Sequence, residues 1–74
     1  MKAIDKISNA ATRIDTSVTS ITYVGKAEVG SLTSDPVWSI SKIDETSATA
    51  MIITWAGNGT FTQIWDNRLS LTYS

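Results

Sequence analysis

The sequence predicts an all-β fold: a small antiparallel sandwich or barrel of about five strands, preceded by an N-terminal arm or short helix. Three observations carry this. Ser and Thr supply 21 of the 74 residues. Thr suits strands because its branched Cβ packs well on a pleated surface, while Ser is at home in turns. Val, Ile, Trp and Tyr recur in short alternating runs, and these runs are separated by Gly, Asn, Asp and the single Pro.

Along the chain, Ile4, Ile7, Ala11, Ile14, Val18 and Ile21 fall at spacings of three and four, which suits a short amphipathic helix. The β-branched stretch from Thr16 onward ends that pattern, so residues 1–15 are read as the arm and 16–74 as the β domain. Ile21 to Val29 reads as a strand, with Gly25 marking a bulge or a close backbone approach. Residues 30–36 form a loop, and Val37 to Asp44 a second strand with Trp38, Ile40 and Lys42 on one face. Ala48 to Trp55 reads as a central strand covered on both sides, because apolar residues occupy both of its faces. Asn58-Gly59 signals a hairpin turn, since both residue types tolerate positive φ. Phe61 to Trp65 makes a fourth strand. Asp66, Asn67 and Arg68 then turn the chain into a fifth, Leu69 to Tyr73, which is free to pair with another chain.

Size and composition narrow the function. A chain of 74 residues allows one domain, and such a domain buries only about 60% of the surface its unfolded form exposes. There is no Cys and no His. That leaves no disulfide, no thiolate or imidazole metal site and no imidazole base, so no catalytic residues, metal or cofactor are expected. Partner contacts are the stabiliser left over. The six Lys and Arg are scattered and the net charge is −1. A nucleic-acid surface, which needs clustered basic residues, is not expected. Neither is a membrane span or a signal peptide: the longest apolar run is Ala50 to Ile53, and Asp5 and Lys6 interrupt the N-terminus.

The candidate functional residues are therefore those of an interface: Trp38, Trp55, Trp65, Leu69, Leu71 and Tyr73. Large rings supply most contact energy at protein surfaces, although in strands they serve equally as core. Asn58, Gly59, Asp66, Asn67 and Arg68 are read as turn residues, with Arg68 pairing with a carboxylate or a backbone carbonyl. Asn58-Gly59-Thr60 also matches a glycosylation sequon, though the turn accounts for it.

The order ITYVGKA (21–27), GSLTS (30–34), VWSI (37–40), TWAGN (54–58) and WDNRLSLTYS (65–74) resembles a family of small virion-associated proteins of tailed bacteriophages. The resemblance covers about residues 12–74, and its terminal motif is the most specific part. It implies a structural protein of the virion, made in the bacterial host cytoplasm, with copies of itself and other virion proteins as partners. The tail, neck or fibre attachment is the first expectation and capsid decoration the alternative. A reading of another class is a carbohydrate-binding module for host recognition, in which Trp55 and Trp65 stack on sugar beside Asn58, Asp66 and Asn67.

Overall fold

A computed structural model describes residues 11–74. Residues 1–10 of the expected arm or short helix lie outside the described residues. Residues 11–15 are strand, so the β domain begins earlier than the expected boundary at residue 16.

The fold is all-β and antiparallel, as expected, with five strands. These are β1 (Ala11–Val18), β2 (Ile21–Ala27), β3 (Pro36–Asp44), β4 (Ile52–Trp55) and β5 (Gln63–Ile64). The first four form a meander in the order β1-β2-β3-β4, and β5 pairs with the start of β3. Thr19 and Ser20 turn β1 into β2, and Ser20 holds φ 64°. No Gly or Asn marks this hairpin, so the sequence reading passed over it.

Trp38 and Ile40 are fully buried, and with Tyr23, Ala27, Ala56 and Trp65 they form the core. Ile40 pairs with Gly25, and Tyr23 with Lys42, so these side chains share one face of the sheet. The expected face of β3 is thereby borne out. Gly25 is no bulge: it pairs in regular register with Arg13 and Ile40. It is instead a close approach, because a Cβ there would sit 2.5 Å from Trp65 Cε3 and 3.2 Å from Trp38 Cε3. Two indoles occupy the space that a side chain would need.

The second half of the chain departs from the expected strands. Only Ile52–Trp55 of the third expected strand forms a strand, paired along its length with β3 and on its other edge only at Trp55, by the C-terminal residues, leaving Ile52, Ile53 and Trp55 exposed rather than covered on both sides. Ile52 lies on the core face opposite Asp44 and Ile53 on the other face opposite Ile43, and at this end of the sheet neither face is covered. The Asn58-Gly59 turn does not join two paired strands, since β4 and β5 each pair with β3. It is a short 3₁₀ turn, Gly57–Gly59, in which Gly57, Asn58 and Gly59 all hold positive φ (56°, 61° and 80°). The expected left-handed backbone is there, but its job is to fold the chain back across the sheet. The fourth expected strand shrinks to Gln63–Ile64.

The fifth expected strand is replaced by a 3₁₀ helix, Trp65–Ser70. After it the chain runs to the edge of β4. There Trp55 N–H donates to the Ser74 carbonyl and Ser74 N–H to the Trp55 carbonyl, both at 3.1 Å, beside a bridge from Ala56 to Tyr73. The C-terminus thus closes on its own chain instead of offering a free strand to a neighbour.

Candidate interaction surface

The two faces of the meander differ. The core face is roofed by the C-terminal segment. Trp65 lies on Gly25 and packs against Trp38 with ring centroids 6.0 Å apart, within the range of favourable tilted aromatic pairs. Arg68 fastens this roof. Its guanidinium stands 4.7 Å over the Trp65 ring, its Nη1 donates to the Trp65 carbonyl at 3.2 Å, and its Nε donates to Asp15 Oδ2 on β1 at 2.7 Å. Tyr73 hydroxyl donates to the Arg68 carbonyl at 2.8 Å, while its ring meets Tyr23 at 5.7 Å and Lys42 Nζ at 5.5 Å.

The opposite face has no such cover. Register places Ile14, Val24, Ser41 and Trp55 in one row across four strands, with Thr22, Ile43 and Ile53 in the row beside it. Ile14 is 65% exposed, Ile53 52% and Trp55 43%. Only one end is roofed: the Gly57–Gly59 turn sits over Ser39, whose hydroxyl donates to the Gly59 carbonyl at 2.8 Å, and the Trp55 ring leans on Gly59. Among the described residues eleven large hydrophobic side chains are exposed, including Met51, Ile52, Phe61 and Leu69. The radius of gyration is 13.0 Å, against about 11 Å for a compact chain of this length. An elongated shape of this kind, 42 × 23 × 22 Å, leaves much of its apolar surface uncovered. Contiguous exposed apolar patches rimmed by polar groups mark interaction sites.

Electrostatics tighten the roofed face. Asp15 is held at about 2, below its ordinary 3.8, by the hydroxyl and N–H of Ser17 and then by Arg68. Asp44 is lowered by the hydroxyl and N–H of Thr46. Burial, with Tyr23 beside it, pushes the Tyr73 phenol up to about 12, against the opposing pull of Arg68.

The residues expected at an interface separate into two groups. Trp38 and Trp65 are buried within the chain and present nothing to a partner, whereas Trp55 and Leu69 are exposed and Leu71 and Tyr73 half-buried. Because Trp65 is in the core, the five residues of the carbohydrate reading do not form one surface. Of the turn residues, Asn58 and Gly59 take left-handed backbone, and Asp66, Asn67 and Arg68 lie within the 3₁₀ helix that Trp65 begins. Arg68 pairs with both a carboxylate and a backbone carbonyl, as expected. Sequence reasoning missed Ile14, Asp15, Ile43 and Ile53. The alternation of Ile14 with Arg13 and Asp15 was the available signal, and the helical spacing assigned to residues 4–21 hid it.

Among the described residues no three His, Cys, Asp or Glu side chains are grouped to hold a metal ion, and no helix is long and apolar enough to cross a membrane. No family model matches the chain, and no curated protein or solved structure matches it.

Proposed function

We propose that this protein is a non-enzymatic structural subunit of a bacteriophage virion, present in many copies in the tail, neck or fibre attachment and working by contact with copies of itself and with other virion proteins. The open face, where Ile14, Ile53 and Trp55 are exposed and Val24 and Ile43 half-buried, carries the interaction part of this reading. A domain this small leaves such a face open at a cost in free energy, and association removes the cost by burying it. The virion part rests on the resemblance of residues 12–74 to tailed-phage proteins.

The mechanism is passive and geometric. The roofed face gives the sheet a rigid back, fixed by Trp65 and the Arg68–Asp15 pair. The open face then supplies apolar contact area, with the rows of Thr and Ser around it keeping the free chain in solution.

Quantitative mass spectrometry of purified particles tests the reading. Ring-like stoichiometry supports a tail or neck position, and shell-like stoichiometry moves the protein to capsid decoration. Absence from washed particles overturns the proposal. An Ile53→Lys variant, altered on the open face only, is expected to fold and to be lost from particles.

A further inference from the structure

We propose that two copies of this chain join edge to edge through β1, antiparallel about a two-fold axis at Ile14, so that Arg13 of each copy faces Asp15 of the other. This deepens the self-association proposed above and rests on it.

β1 is eight residues long, and among the described residues no strand pairs with its outer side. A free edge of that length is a template for strand addition unless something blunts it. Charges of one sign would do so, because copies would repel. β1 instead carries one charge of each sign, Arg13 and Asp15, which share the roofed face while Ile14 between them points to the open face.

A two-fold contact is isologous: where one residue meets another, the reverse contact also forms. Centred on Ile14, the pairing sets Arg13 against Asp15 twice, Thr12 against Thr16 twice and Ile14 against itself. Centred on Arg13 or on Asp15, it sets like charge against like, which is unfavourable for directly opposed strand residues. A half-step shift pairs residues of opposite orientation, so it would put the open face of one copy beside the roofed face of the other. Centred on Thr12 or on Thr16 it matches faces but sets Arg13 opposite Ala11 or Asp15 opposite Ser17, so no ion pair forms; of the face-matched registers, the Ile14-centred one alone sets Arg13 opposite Asp15. It places the two open apolar rows side by side in one continuous sheet, with Ile14, now 65% exposed, packed against its counterpart.

The charged groups have capacity for this contact. Arg13 is exposed and takes part in no ion pair among the described residues. Asp15 Oδ2 accepts from Arg68 and Oδ1 from the Ser17 N–H at 2.8 Å, and a carboxylate offers about four acceptor positions, so a further donor can be accommodated. The five residues Thr12–Thr16 make the contact; Thr12–Asp15 lie in the regular part of β1, and Thr16 opens the stretch where its pairing with β2 shifts register.

The test uses the full chain, which contains no native Cys. Sedimentation equilibrium is expected to show a dimer that Arg13→Glu weakens by at least about tenfold, since two attractive pairs become repulsive. Under mild oxidation, Ile14→Cys is expected to cross-link with itself, because directly opposed residues lie within disulfide reach. Thr12→Cys is expected to cross-link with Thr16→Cys but not with itself. Circular dichroism checks that each variant folds. An assembly that ignores Arg13→Glu and fails to cross-link through Ile14 overturns this inference while leaving the structural-subunit reading standing. A chain that stays monomeric at every concentration overturns the inference too, and particle stoichiometry then decides the broader reading by itself.

Discussion

The indole of Trp65 rests on the bare backbone of Gly25, so close that a single added carbon at residue 25 would stand 2.5 Å from the ring. One strand of the sheet and the C-terminal 3₁₀ helix are thereby held in contact by the absence of a side chain. Gly25→Ala is expected to lower the unfolding free energy by about 1–3 kcal/mol, the usual cost of overpacking a filled site. Urea denaturation measures it. A neutral result would mean that Trp65 can move away freely and that the roof is loose.

Ser20 is one of two non-glycine residues with positive φ among the described residues. For most L-residues that region costs roughly 1–2 kcal/mol. Glycine relieves the strain but adds freedom to the unfolded chain, a cost of about 0.4–1 kcal/mol. Ser20→Gly is therefore expected to stabilise the β1–β2 hairpin by about 0.5–1 kcal/mol. For a domain of this size that is a rise of a few degrees in Tm, at about 4–8 °C per kcal/mol. A fall in Tm would show that the Ser20 side chain contributes more than its backbone strain costs.

Acid should loosen the roof. Asp15 titrates at about 2 in the folded chain and at an ordinary 3.8 when unfolded. Between those values the unfolded state binds more protons, so stability rises with pH there. The contribution is fully present above 3.8 and lost as pH falls through about 2. Asp44, also lowered, acts in the same direction. Asp15→Asn is expected to be less stable than the parent near neutral pH and to lose less on acidification. Parallel curves for the two proteins would remove Asp15 from the account.

Alkali acts through Tyr73. Its phenol is raised from 10.0 to about 12, so between those values the folded state holds a proton that the unfolded state has released. Stability present below pH 10 is lost as pH rises toward 12. Tyr73→Phe abolishes this loss, and it removes the hydrogen bond to the Arg68 carbonyl at a cost of about 1 kcal/mol near neutral pH. Alkaline denaturation with tyrosine absorbance monitored at the same time gives both quantities. An unchanged alkaline midpoint in the variant would assign the loss to another group.

Much of the sheet was legible in the residues. The alternation through β2 and β3, the burial of Trp38 and Ile40 on a shared face, and the left-handed backbone at Asn58 and Gly59 all follow from local pattern and the steric limits of φ. So does the all-β class, because Thr and Ile in period-two runs have few other stable arrangements. The opening hairpin was hidden because Ser20 carries a conformation that sequence assigns to Gly or Asn.

What only the tertiary structure decided is which faces are covered and by what. Leu69-Ser70-Leu71-Thr72-Tyr73 alternates like a strand, yet Leu69 and Ser70 end the 3₁₀ helix that Trp65 and Arg68 hold over the sheet. The Arg68–Asp15 pair that fixes the roof joins residues 53 positions apart, beyond any local pattern. Periodicity records that a residue has an inside and an outside. It does not record whether the outside meets water, a distant part of the same chain or another copy, because that depends on contacts which exist only once the chain has closed on itself.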